Sequence, residues 1–336
     1  MSFPLSKSPI FSKLPSYNEF QSLSRRFPTS FSSEWCFSCR ISCRKMSCSS
    51  ETAPPTLQTV KISYSELKDK DADLSLKIEH GFGPNGLGIL SISDVPGFSS
   101  LRQNLLHLSP RLASLPEEVK KELEDPHSRY NFGWSHGKEK LESGKPDMLK
   151  GSFYANPIFD TPTTEASLIQ RYPSYCGPNI WPSSALPELE VAFKALGKVI
   201  LDVGLMVAYH CDRYVSKGMT MRNGEGLEQI IQRSRCHKGL TCGLFTIDAV
   251  EVPCPDSASG LYIKTRTDQI VKAPKEEKAF GVERSTFALF LQPDWDEKLN
   301  FPGEVHLHQE LIRPNMTLTF GEYSEKLLDK YYHLKP

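Results

Sequence analysis

Apolar positions recur along this chain in two rhythms, one of three and four residues and one of two. The first is longest between Leu186 and Lys217, where Leu189, Phe193, Leu196, Ile200, Val203 and Val207 fall on one stripe. That stripe predicts a long helix with one buried face. Upstream, Gly86 to Ser93 alternates in strand fashion through Leu87 and Ile89. A helix with Leu101, Leu105 and Leu108 on one side should follow it. The next helix is expected at Ser114-Leu-Pro-Glu-Glu, with Ser114 as cap, Pro116 in the first turn and Glu117 completing a capping box. Beyond the long helix, Gly218 is read as its stop, Asn223 to Gly226 as a loop and Leu227 to Arg235 as a short helix. The last third moves to the two-residue rhythm. Strands are predicted at Leu240–Thr246, Leu261–Thr265, Ser285–Gln292 and Met316–Phe320, with a closing helix over Tyr323–Tyr332.

Helices first and a run of strands afterwards describe an α+β chain, with a jelly-roll or double-stranded β-helix core and flanking N-terminal helices. At 336 residues and 39% apolar the chain can bury a sizeable core. No apolar run reaches the roughly 18 residues needed to span a bilayer, so no membrane partner is expected.

Composition changes sharply near residue 50. The first 50 residues hold 15 serines, seven Lys/Arg and only two acids, Glu19 and Glu34. This composition does not build a packed core and matches an organellar transit peptide. Serine outweighs arginine, which favours a chloroplast address; a mitochondrial leader and a disordered cytoplasmic tail are the alternatives. Residues 51–60, with Pro54-Pro55, read as a linker. The remainder carries 33 Lys/Arg against 38 acids, a net −5, so a nucleic-acid-binding body is not expected. Four of the nine cysteines (Cys36, Cys39, Cys43, Cys48) lie in the leader. The other five show no framework spacing and read as reduced thiols. The basic cluster Arg233, Arg235, His237 and Lys238 reads as a solvated helix end.

Several motifs in the body belong together. They are Leu115-Pro-Glu-Glu-Val-Lys120, Asn131-Phe-Gly-Trp134, Lys150-Gly-Ser-Phe-Tyr154-Ala-Asn-Pro157, Arg235 to Phe245 (RCHKGLTCGLF), Gly260-Leu-Tyr-Ile-Lys-Thr265 and Glu283 to Phe290, the last followed by Gln292-Pro-Asp-Trp295. Over residues 60–336 they resemble the plant Fe(II)/2-oxoglutarate-dependent dioxygenases of the isopenicillin-N-synthase-like group. The resemblance divides the body into an N-terminal-like region, residues 61–180, and a backing helix with the oxygenase-like region, residues 181–336. It implies Fe(II) and 2-oxoglutarate as cofactors and a small-molecule ligand. It also carries the family's Arg-x-Ser carboxylate clamp onto Arg284 and Thr286, with threonine replacing serine. The residue types suit the task, because a guanidinium fork and a neighbouring hydroxyl present three donors to one carboxylate.

The family's iron ligands, His-x-Asp before the Gly-x-Leu-Thr strand and a second His before the arginine strand, are not found at those places. His210-Cys-Asp212 falls inside the long helix, where residues two apart diverge and cannot share one ion. His237 precedes Gly239-Leu-Thr241 but has Gly239 two residues on. His306 and His308 lie two apart downstream, with Glu304 and Glu310 beside them. Between Val271 and Arg284 no histidine appears, and Pro274 with its charged neighbours reads as a loop. Two short joins at the two ligand positions read as removed segments, around Cys236–Leu240 and between Val271 and Arg284. The core is then an incomplete double-stranded β-helix. Three functions stay open: a non-catalytic member or shortened isoform, an active oxidoreductase using unrecognised ligands such as His237 and His308, and a carboxylate-binding regulatory module.

Overall fold

The computed structural model describes residues 58–139, 145–148, 150–217, 225–244, 262–264, 270–272, 284–299 and 317–331. Its elements mix helix and sheet. In chain order they are β1 (Val60–Ser63), α1 (Tyr64–Lys68), α2 (Ser75–Phe82), β2 (Leu90–Ser93), α3 (Phe98–Leu106), α4 (Leu108–Ala113) and α5 (Glu117–Glu122). β3 (Gly133–His136), β4 (Lys150–Ala155), α6 (Ala166–Arg171), α7 (Pro173–Cys176), α8 (Glu188–Ser216) and α9 (Leu227–Arg233) follow. The chain continues through β5 (Lys238–Leu244), β6 (Tyr262–Lys264), β7 (Ile270–Lys272), β8 (Arg284–Phe290), β9 (Lys298–Leu299), β10 (Leu318–Thr319) and α10 (Phe320–Tyr331).

Two compact units result. Among the described residues, one comprises 58–94, 262–264 and 270–272, and the other the remainder. In the first unit, β1 and β2 pair in parallel, with Ile62 opposite Ile92. Ser63 joins strand to helix through a reciprocal capping box with Glu66. Each satisfies a backbone N–H that the start of α1 leaves open. That signal stood in the sequence as Ser63-Tyr-Ser-Glu66 and was not among the predicted caps. β2 starts at Leu90, later than the alternation predicted, because Gly88 takes a φ of +76° that interrupts an extended chain. β6 and β7 form an antiparallel pair, so Ile270–Lys272 is a strand that the sequence reading left out.

The second unit is built on a four-stranded antiparallel sheet in the order β3-β4-β5-β8. Strands from residues 61–180 therefore pair directly with strands from residues 181–336. Register aligns Trp134, Phe153, Thr241 and Phe287 in one row across the sheet. Cross-strand neighbours share a face, and this row faces α8. Phe193 of α8 meets Phe153 and Phe287 edge-to-face, at centroid distances of 6.0 and 5.0 Å. Leu105, Leu108 and Leu112 from α3 and α4 complete the same core with Leu186, Leu189 and Leu196. Gly197 lets the helix approach the chain closely, since a Cβ there would stand 2.4 Å from Cβ of Pro157.

The predicted α8 stripe is present, but it is buried unevenly. Leu189, Phe193 and Leu196 are fully enclosed, whereas Val203 and Val207 stay half-buried. The predicted cap at Ser114 is a correction. Pro116 occupies the N-cap of α5, and Ser114 Oγ instead donates to the carbonyl of Pro110, finishing the preceding helix. Proline there fixes φ before the helix and leaves Ser114 free to turn backwards.

Candidate functional site

Register also defines what lies on the opposite face of the sheet. Ser135, Ser152, Cys242 and Thr286 form one row, and Lys150, Leu244 and Arg284 the next. Further along come Tyr154, Leu240 and Ala288, then Lys238 opposite Phe290. Residues two apart on a strand share a face, so positions 284 and 286 lie together as predicted. The side chain of Arg284 is outside the described residues; that of Thr286 is half-buried. The face is unusually polar for a sheet interior. Ser135, Ser152, Cys242 and Lys150 are all buried.

Ser152, Cys242 and Lys150 have partners. Ser152 Oγ lies 3.5 Å from Cys242 Sγ. Lys150 Nζ donates to both oxygens of Glu139, at 2.8 and 2.9 Å. Thr241 turns the other way. Its hydroxyl donates to the Thr286 carbonyl at 3.2 Å and meets Ser109 Oγ at 2.8 Å. The threonine of Gly239-Leu-Thr241 thus ties the sheet to α4 and takes no place on the polar face.

Neither of the described histidines considered as ligands is placed to hold a metal. His210 lies in α8, 3% exposed, with its ring edge-on to Tyr209. Asp212 accepts the backbone N–H groups of Leu227 at 2.8 Å and Glu228 at 2.9 Å. It therefore caps the N-terminus of α9 from a neighbouring helix, which the His-x-Asp spelling does not reveal. Asp212→Ala should destabilise the protein by about 1 kcal/mol through loss of this cap. Chemical denaturation reads the loss, and Fe(II) affinity should stay unchanged.

His237 is 1% exposed. Its Nδ1 accepts the Gln292 N–H at 3.4 Å, and the ring also bonds the Ile231 backbone. Burial holds its pKa below the ordinary value, so the ring is a neutral core group. His306, His308, Glu304 and Glu310 lie outside the described residues, as do residues 273–283. Among the described residues no cluster of three His, Cys, Asp or Glu side chains is placed to hold a metal ion. The described residues therefore do not by themselves assemble the iron centre that the resemblance implies.

The basic cluster is also corrected. Arg235 pairs with Asp294 and stacks on the Trp295 ring, 4.0 Å from its centroid. Arg233 pairs with Glu225 and Glu297. Arg233 stays exposed at the end of the helix as expected, whereas His237 and Lys238 are buried. α9 ends at Arg233 and β5 starts at Lys238, so the join pulls these two side chains under the sheet. Below it, Cys176 and Cys236 pack with Tyr172, Tyr175 and Trp295. Burial raises both thiols' pKa values, Cys176 to about 12, which leaves them protonated and unreactive. Among the described residues no helix is long and apolar enough to cross a membrane.

Comparison with known proteins adds a match in the N-terminal region and a shared fold. Residues 57–184 match the profile of a family described as non-haem dioxygenase in morphine synthesis N-terminal. A putative 2OG-Fe(II) oxygenase family protein from Caulobacter crescentus superposes with a TM-score of 0.59 at 14% identity, covering 80% of this chain and 98% of that one. A full-length Neurospora crassa protein in complex with alpha-KG and thymine gives 0.52 at 16% identity, covering 82% and 96%. JOX2, in complex with 2OG, Fe and JA, gives 0.51 at 12% identity, covering 92% and 93%. No curated protein sequence matches.

Proposed function

We propose that the chain is a non-catalytic member of the 2-oxoglutarate/Fe(II) oxygenase superfamily, a membership supported by its N-terminal match and its fold. It keeps a carboxylate-binding sheet face and does not build the family's iron centre. The observation that carries this reading is the join between α9 and β5. Only Ser234 to His237 separate helix from strand, and His237 is bonded into the core there. A connection of four residues at the place where the resemblance puts His-x-Asp supports this reading.

What remains is binding chemistry. Thr286 sits half-buried on the polar face, one row from Lys150 and two residues from Arg284. An arginine at that register position offers a planar fork to the distal carboxylate of 2-oxoglutarate, and Thr286 offers a hydroxyl beside it. When bound in the family, iron supplies the oxidising chemistry; in this chain no step depends on it. The incomplete double-stranded β-helix, the chloroplast address and origin as a shortened isoform of an active enzyme belong to the same reading.

Titration of the purified chain with Fe(II) and with 2-oxoglutarate tests it. Metal-free 2-oxoglutarate should bind saturably and lose at least about tenfold in affinity in Arg284→Ala, as expected for losing a charge-assisted pair. Stoichiometric iron binding with 2-oxoglutarate-dependent release of succinate would overturn the proposal.

A further inference from the structure

Lys238 opens β5 and, at 4% exposure, is the most buried lysine among the described residues. Its Nζ donates to the Asn131 carbonyl at 2.9 Å. It lies 3.3 Å from the centroid of the Phe132 ring and 5.8 Å from that of Tyr175. The contrast with Lys150 is informative. Lys150 is neutralised by both oxygens of Glu139, whereas among the described residues no carboxylate comes within ion-pair distance of Lys238. An ammonium carries three donors. One is used here, and two are left in a dry environment.

Two more polar atoms nearby lack partners. They are Nδ2 of Asn131, the residue whose carbonyl holds Lys238, and Oε1 of Gln292. Gln292 follows Phe290, the register partner of Lys238, by two residues and hydrogen-bonds Tyr175. Buried polar groups in folded proteins nearly always find a partner, and an exception calls for an explanation. Here two N–H groups of Lys238, the NH2 of Asn131 and one unused acceptor are grouped at one end of the sheet. Their complement is an anion with acceptor oxygens and a single hydroxyl.

We infer that Lys238, Asn131 and Gln292 form a binding site for a small hydroxyl-bearing oxyanion, the chemistry shared by hydrogencarbonate and the 2-hydroxycarboxylates. The anion's oxygens take the two free Lys238 donors and Asn131 Nδ2, and its hydroxyl donates to Gln292 Oε1. The Phe132 ring, stacked against Nζ, excludes water from the ion pair. This site uses none of the residues assigned to 2-oxoglutarate and stands independently of that assignment.

Burial supports the same picture, because it lowers the empty site's Lys238 pKa to about 7. The titratable groups acting on it are Cys236, Glu325, Asp125 and Cys176. Glu325 is held by Arg129 and Ser174, and both thiols are kept protonated by burial. The anion binds the charged amine, so affinity should fall as pH rises through the Lys238 pKa.

Calorimetric titration of the full chain with sodium glycolate, sodium hydrogencarbonate and sodium formate, at about pH 6.8 and about pH 8.5, tests the inference. Glycolate or hydrogencarbonate should bind, and the stronger of the two identifies the source. Formate, which lacks the hydroxyl, should bind about tenfold more weakly. Affinity should drop at the higher pH, and Lys238→Met should abolish binding while Arg284→Ala leaves it intact. If Lys238→Met fails to fold, Gln292→Leu serves instead, bringing glycolate down to the level of formate. Absence of saturable heat from all three anions, equal binding by Lys238→Met, or loss of binding in Arg284→Ala alone would overturn the site.

Discussion

Phe193→Ala should cost about 3–5 kcal/mol of unfolding free energy, measured by urea denaturation. Phe193 is fully enclosed, and three aromatic rings converge on it. Phe287 and Phe153 come from two strands of the sheet, and Trp181 stands at a centroid distance of 5.5 Å, tilted 74°. Edge-to-face pairs of this kind contribute about 0.5–1.5 kcal/mol each beyond the area they bury. Gly239 brings the β5 backbone against the same ring, since a Cβ there would lie 2.5 Å from the Phe193 ring. Such a site has little freedom to collapse into the space left behind. A cost below about 1 kcal/mol would show that α8 does not anchor the sheet.

The second large effect should come from Arg129→Met. Arg129, at a φ of +58°, sends its guanidinium to Glu325 at 2.6 Å and to Asp329 at 2.5 Å, both in α10. Glu325 also accepts the N–H and hydroxyl of Ser174, so one carboxylate ties α10 to both Arg129 and α7. Removing one partner from a buried pair costs about 3–5 kcal/mol, because the remaining charge is stranded. Burial already holds the Glu325 pKa above its ordinary value, and Arg129 works against that rise.

The sign of the pH dependence follows from this. A carboxyl whose folded pKa is raised contributes most at low pH, and its contribution is lost as pH rises through that folded pKa. Without Arg129 the folded pKa climbs further. The variant's deficit should therefore be largest at alkaline pH and shrink on acidification, as Glu325 takes up a proton. Hydrogen exchange in α10 checks it directly. Unchanged protection at neutral pH would sink the claim.

Local patterns decided much of what was legible in the sequence. The stripe through Leu189, Phe193 and Leu196 specifies α8 because a helix repeats every 3.6 residues whatever packs against it. Alternation specified β5 and β8 to within two residues for the same kind of reason, and it correctly placed positions 284 and 286 on one face. Helix geometry also sufficed to reject His210 and Asp212 as a shared metal site. Caps were less legible. Ser114 and Ser63 carry equally good capping signals, and the choice between them depends on what the preceding backbone needs.

Charge clusters misled for a different reason. Arg235, His237 and Lys238 have the composition of a solvated helix end, and composition is silent about what a short join forces underneath a sheet. His237 and Lys238 are buried because only four residues separate α9 from β5, while Asp294 and Trp295 receive Arg235.

The sequence by itself determined the long helix α8, the strands β5 and β8 and the sharing of one face by positions 284 and 286, because each follows from periodicity and spacing along the chain. The tertiary structure alone decided that Asp212 caps α9, that His237 is spent on Gln292 and Ile231, and that Lys238 bonds the Asn131 carbonyl with no carboxylate partner among the described residues. The bonds to Leu227, Gln292 and Asn131 reach partners 15 to 107 residues away, and distances of that kind are set by packing.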